Sequence, residues 1–131
     1  MKKFLDIYYN MKIKIIDGLF NISKVSKIDN SILDNEFIFI SKTDKEISIV
    51  HRSDLKINNV ISVEESYNCF RIDENLDFSL IGIISRIANL LKEHNIPLFV
   101  ISTYDTDYIL VKEEFMAKTK EILKINNYEI K

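Results

Sequence analysis

FVISTYDTDYILVK, residues 99–112, is the stretch on which the reading of the fold turns. It holds two β-rich runs, Leu98–Tyr104 and Asp107–Lys112, joined by the polar corner Ser102-Thr103-Tyr104-Asp105-Thr106-Asp107. Hairpin corners commonly obtain positive φ from glycine or asparagine. This corner has hydroxyls and carboxylates instead, which can satisfy local backbone donors or reach toward a bound polar molecule.

Working outward, the neighbouring segments complete a pattern. Before the hairpin, Leu80–Glu93 has helical spacing, with Leu80, Ile84, Ile87, Ala88 and Leu91 on one stripe. Asp77 or Ser79 is placed to cap its start, and His94-Asn95 followed by Ile96-Pro97 ends it, because a residue before proline avoids the α region. Upstream, Tyr67–Ile72 alternates as a strand and is broken by Asp73-Glu74-Asn75. After the hairpin, Glu113–Ile125 reads as a helix, acidic at its start and carrying Lys118, Lys120 and Lys124 toward its end, in agreement with the helix dipole. Asn126-Asn127 then turn into the short strand Tyr128–Lys131. The order is βαββαβ, the ferredoxin-like arrangement of an α+β fold.

The first half is less regular. Met11–Ile16 and Leu19–Val25 read as strands around a turn at Asp17-Gly18, and Asn30–Asn35 as a turn or two of helix. Glu36–Lys42 and Glu46–Arg52 read as a hairpin across Thr43-Asp44-Lys45. This is a degenerate copy of the second half: strand, small helical element, hairpin. The chain of 131 residues divides near residues 62–66, into units too small to be robust alone.

Composition narrows the function classes. A net charge of −2 offers no electrostatic case for nucleic acid. The single cysteine, Cys69, rules out an intrachain disulfide and fits a reducing compartment; in its apolar run it reads as a small buried residue. No apolar run is long enough for a membrane span and the N-terminus lacks a signal-peptide core, so a cytoplasmic location is expected. Nucleophile-elbow, P-loop and dinucleotide-binding patterns are absent, and two glycines could hardly build a phosphate cradle. Asp105, Asp107, Glu113 and Glu114 do not form a calcium loop. His51 and His94 have no metal-ligand spacing. Neither Tyr67–Ile72 nor Asp107–Lys112 supplies the aromatic, glycine-rich strand of an RNA-recognition motif. Neither catalysis, a cofactor nor a metal is expected.

The strings Leu76-Asp77-Phe78-Ser79-Leu80-Ile81-Gly82-Ile83 and Ile101–Val111, together with Glu46-Ile47-Ser48-Ile49-Val50, resemble the small bacterial tandem ACT-domain proteins. These are in turn similar to the ACT repeats of the eukaryotic arginine sensor CASTOR. The resemblance implies an N-terminal extension over 1–10, a degenerate ACT-like lobe over 11–64 and an ACT domain over 65–131, with antiparallel sheets and helices on one face. It also implies binding of an amino acid or similar small effector. Phe78, Ser79, Gly82 and Ile83 would form one wall, where a helix N-terminus suits a carboxylate. Ser102, Thr103, Tyr104 and Asp107 would form the other, with Asp107 the partner of a ligand ammonium.

Blander roles stand beside these. Gly82 can serve helix packing alone, Ser102 and Thr103 can bond their own hairpin, the tyrosines can be half-buried sheet residues, and Asp105 reads as a turn-former. Two function classes follow. One is a regulatory amino-acid sensor, a homodimer acting on an unidentified protein partner, with neither nucleic acid nor membrane involved. The other is a ligand-free dimerisation or interaction module of the same fold. An open polar cleft beside Asp107 would mark the sensor; an Asp107 capped locally would mark the module.

Overall fold

The computed structural model describes residues 11–74 and 82–131. Its elements are β1 (Lys12–Val25), a 3₁₀ turn (Asn30–Asp34), β2 (Phe39–Lys42), β3 (Ile47–Arg52), β4 (Val60–Ile72), α1 (Ile83–Lys92), β5 (Phe99–Ser102) and β6 (Asp107–Lys112), followed by a 3₁₀ turn (Glu113–Phe115), α2 (Met116–Ile125) and β7 (Glu129–Ile130). Two compact units result. One combines the chain up to Asp17 with Asn68–Lys131, and the other is Gly18–Tyr67. The division therefore differs from the expected lobes 11–64 and 65–131: residues 11–17 belong with the C-terminal half, and the expected extension 1–10 lies outside the described residues.

In the first unit the strands neighbour one another in the order β7-β1-β4-β6-β5. β4-α1-β5-β6-α2-β7 is the expected βαββαβ order, but β1 is inserted between the last strand and β4. β7 pairs with β1 in parallel, Lys12 opposite Glu129 and Ile13 opposite Ile130, so the sheet is not wholly antiparallel as expected. The physical reason lies in β1 itself. Met11 and Ile13 are buried in the core, and Lys12, between them, uses its carbonyl to accept the Asp73 N–H (2.8 Å). On the other side, Glu129 N–H donates to the Met11 carbonyl (3.0 Å) and Lys131 N–H to that of Ile13 (2.8 Å).

One core serves both helices. Ile83, Ile87 and Leu91 of α1 and Met116, Ile122 and Leu123 of α2 pack with Phe70 and Ile72 of β4 and Ile109 and Val111 of β6. The alternation within each strand puts these side chains on a single face of the sheet, the face carrying both helices. Asp77, Ser79 and Leu80 lie outside the described residues, and the described α1 begins behind Gly82 rather than at residue 80. Both helices end alike. Asn95 and Asn127 take positive φ (57° and 69°), and the buried residues that follow, Ile96 and Tyr128, donate their N–H groups to Leu91 and Leu123 (both 3.0 Å). This is the left-handed helix ending that asparagine tolerates.

In the second unit the order is β2-β3-β1-β4. Its only helical element among the described residues is the 3₁₀ turn Asn30–Asp34. Val25, Ile32 and Ile49 form its core, with Ile28, Ile38, Ile40, Ile47 and Ile57 packed against them. The expected turn at Asp17-Gly18 is not a turn. β1 continues through it, with Gly18 at φ +87°. A Cβ there would sit 2.7 Å from Arg52 Nη1. That guanidinium stacks on Phe20 (5.6 Å) and Phe37 (5.4 Å), whose rings meet edge to face at 6.3 Å, an arrangement in which ring faces attract the cation. Gly18 thus clears space for Arg52 as well as bending the strand.

A buried polar pair completes this unit. Ser23 and His51 are 1% and 2% exposed. His51 Nδ1 faces the Arg52 carbonyl at 2.8 Å and so carries the proton. Nε2 of the neutral ring then accepts the Ser23 hydroxyl at 2.7 Å. Burial holds the His51 pKa below its ordinary value, against the opposing pull of the Arg52 carbonyl.

Two outcomes are expected. Gly18→Ala should lose about 1–2 kcal/mol in urea unfolding, because an L-residue resists that φ and Arg52 must leave its rings. For His51, the folded pKa lies below the unfolded value near 6.5, so the unfolded chain takes up the proton first. Stability should therefore fall as pH drops below about 6.5. Urea melts at neutral and mildly acidic pH should show that slope diminished in His51→Gln and retained in His94→Gln.

Candidate functional site

The corner between β5 and β6 lies where β4 finishes. There Thr106 Oγ1 donates to the Ile72 carbonyl (2.7 Å), which ties the β5–β6 corner to the point where the chain leaves β4 toward α1. Arg71 Nη1 donates to the Tyr108 hydroxyl (3.4 Å), and Arg71 Nε lies 3.4 Å from Asp73. Lys131 Nζ pairs with the other oxygen of Asp73 at 3.0 Å, and Glu74 accepts the Lys12 N–H at 3.2 Å. The Lys131 hydrogen bond, with Lys131 and Arg71 adding their charge, holds the Asp73 pKa below the usual value despite some desolvation. The same end of the unit thus carries both signs of charge in fixed, mutually oriented positions.

The corner closes on itself. Thr103 N–H donates to the Thr106 carbonyl (2.8 Å), Thr103 Oγ1 donates to the same carbonyl (3.0 Å), and the Thr106 N–H donates back to Thr103 Oγ1 (3.3 Å). Ser102 and Asp107 face each other across the strands, and the Ser102 hydroxyl donates to Asp107 Oδ1 at 2.5 Å. Hydroxyls thus close this corner, where other hairpins rely on positive φ.

The expected site residues separate on this geometry. Ser102 and Asp107 come together, with Asp107 half-buried and its second carboxylate oxygen aside from that bond. Thr103 is engaged with Thr106. Tyr104, at the corner's tip, is 83% exposed. Ile83 is 6% exposed and packs in the core beneath α1. Gly82 caps α1 at φ +81° and accepts the Arg86 N–H through its carbonyl (2.9 Å); having no side chain, it leaves the helix's first N–H groups to other partners. Phe78 and Ser79 lie outside the described residues. The charged members Arg71, Asp73 and Lys131 escaped the sequence reading, although Arg71 stood on the strand face opposite Phe70 and Ile72. Among the described residues no three His, Cys, Asp or Glu side chains gather as metal ligands, and no helix is long and apolar enough to cross a membrane.

The corner has a twin. Phe39–Lys42 pairs with Ile47–Val50 in the register that Phe99–Ser102 makes with Asp107–Leu110, each residue sixty positions before its counterpart. Thr43 matches Thr103: its N–H donates to the Glu46 carbonyl (2.9 Å), and its Oγ1 accepts the Glu46 N–H (3.2 Å). The sites differ where chemistry would matter, because Ile47 stands at the position of Asp107.

With this geometry in place, comparison with known proteins gives the following. Residues 62–124 match the ACT domain family, a span from β4 through most of α2 that leaves out β1 and β7. The chain is similar to the Agrobacterium tumefaciens protein Atu0741 (29% identity, TM-score 0.82, covering 93% of this chain and 92% of that one). It shares its fold with the Vibrio cholerae protein VC0802, of unknown function (19%, 0.71, 92% and 93%). It also shares it with the ligand-free regulatory subunit of Thermus thermophilus aspartate kinase (6%, 0.60, 87% and 95%). No curated protein matches the chain.

If Thr43 and Thr103 are equivalent corner locks, Thr43→Ala and Thr103→Ala should each cost about 0.5–1.5 kcal/mol in chemical denaturation. A cost at one position only would break the equivalence.

Proposed function

We propose that this chain is a regulatory protein of ACT type that binds a small effector, an amino acid or a close analogue, and has no catalysis of its own. The observation that carries the reading is that the corner tied to the end of β4 by Thr106 holds a carboxylate oriented by a neighbouring hydroxyl, Asp107 by Ser102, while α1 starts at Gly82 with no side-chain cap. A zwitterion needs both: an acceptor for its ammonium and N–H donors for its carboxylate. Gly82, Ser102 and Asp107, with Phe78 and Ser79 from the sequence reading, form the proposed site. Tyr104 and Thr103 stand at its margin. The likeness to aspartate kinase regulatory structures supports a regulatory role, and the sequence resemblance to the arginine sensor supports an amino acid as ligand. The chain acts as a cytoplasmic homodimer, passing the effector's binding energy to a protein partner through differential affinity for two states.

The second reading, a ligand-free interaction module, has one observation in its favour. The Asp107 bond to Ser102 and the Thr103–Thr106 lock are the local capping that such a module would show.

A thermal-shift screen against the common amino acids separates the two. One ligand should raise the melting temperature, by an amount corresponding to about 2.7 kcal/mol at a hundredfold excess over Kd, and Asp107→Ala should abolish that rise without unfolding the protein. A flat screen selects the interaction module. A shift surviving in Asp107→Ala removes that residue from the site.

A further inference from the structure

Both helices of the first unit lie on one face of its sheet, yet side chains on the other face are buried too. Along β1, β4 and β6 the helix-facing positions are Ile13, Phe70, Ile72, Ile109 and Val111. Alternation turns Ile16, Cys69 and Leu110 the opposite way, and they are 4%, 0% and 0% exposed. The three form a row. The Asp73 N–H to Lys12 bond at one end of β1 and the Ser26 N–H to Asn59 bond just beyond the other set β1 antiparallel to β4. Four residues along both strands from the first bond, Ile16 stands beside Cys69. On the far side of β4, Arg71 meets Tyr108, and two residues further along the antiparallel pair Cys69 meets Leu110. Phe99 of β5 pairs with Leu110 and, at the end of the row, is 39% exposed. Bare sheet surface does not leave a leucine and a cysteine with no exposure at all, so this row has a cover, and the cover is neither helix.

We propose that the cover is the segment Met1–Asn10, MKKFLDIYYN, laid across this second face. Its reach is sufficient. From Met11 to Leu110 the path is five residues along β1 and two strands across, about 17 Å and about 10 Å, whereas ten extended residues span about 33–36 Å. Composition points the same way. Phe4, Leu5, Ile7, Tyr8 and Tyr9 make half of the segment large and apolar, the composition of a packed element rather than of a solvated tail. Met11, 1% exposed, fixes the end of the segment to the sheet. Charge agrees as well. Lys14 and Arg71 flank Ile16 and Cys69 on the same face, two residues along their strands, and the segment's one carboxylate is Asp6. So placed, the segment gives the sheet a third layer and removes apolar surface on which another chain could settle.

This cover is independent of the effector site. Cys69 is the single thiol of the chain and therefore reports on it. With Ellman's reagent under native conditions the full chain should react slowly, because a buried thiol is reached only when the structure opens. The triple variant Phe4→Asp, Leu5→Asp, Ile7→Asp should raise that rate about tenfold or more, with an unchanged circular dichroism spectrum. Ile125→Asp, on α2 at a residue 71% exposed, should leave the rate as it is. A wild type whose thiol reacts as fast as in the urea-unfolded chain overturns the burial of the row and the proposal with it. A folded triple variant that reacts at the wild-type rate overturns the proposal and assigns the cover to residues beyond Asn10. Should the triple variant fail to fold, chymotrypsin decides on the wild type. Cleavage after Tyr8 and Tyr9 that is slower than in the unfolded chain supports the cover, and equal rates overturn it.

Discussion

β1 must satisfy neighbours on both of its sides, and the rest of the first unit is arranged around that requirement. Met11 and Ile13 are buried, so the backbone between and around them cannot rely on water. β4 supplies partners on one side, through the Asp73 N–H to Lys12, and β7 on the other, through Glu129 and Lys131. Remove β1 and β7 has no strand partner, the core loses two of its buried side chains, and Lys131 loses the backbone contact that carries its ammonium to Asp73. The charged end of the unit is therefore built on a strand far from it in sequence. The family match spans β4, α1, the hairpin and most of α2, and neither β1 nor β7.

The second unit shares one feature of the first and lacks another. The hairpin register and the threonine lock persist across sixty positions. The helices do not: where the first unit has α1, the second has the 3₁₀ turn Asn30–Asp34. Isoleucines packed around Val25, Ile32 and Ile49 form its core. Hydrogen-bonded corners tolerate much change beside them because they are closed by local groups, whereas a helix survives only while its apolar stripe has a surface to cover.

Much of this was legible in the residues. The helical spacing of α1, the places where both helices end, the burial of Cys69 and both hairpins followed from periodicity, turn chemistry and the proline after Ile96. β1 was not legible as one strand, because Asp17-Gly18 has the composition of a turn, and only its φ of +87° and the space required by Arg52 show why a glycine sits within a strand. The insertion of β1 beside β7 was equally hidden, since strand pairing over such a separation leaves no local signal. At the site, Ser102 and Asp107 stood out because their types are unusual in a corner. Arg71, Asp73 and Lys131 did not, because charged residues near strand ends and termini are common and their convergence depends on topology. Ile83, next to a helix start, packs in the core, and the stripe continuing through Ile87 and Leu91 was the signal for that burial.

The parallel contact of Lys12 with Glu129 also has a kinetic meaning. It joins residues separated by nearly the whole chain, and closing so long a loop costs entropy before any contact repays it. During synthesis the residues of Gly18–Tyr67 emerge together, so that unit has all its strands while β1's first residues still lack β7. The first unit closes only once β7 has been made and meets β1. Until that moment the buried face around Met11 and Ile13 is open, and the nascent chain is most prone to pair with the wrong edge.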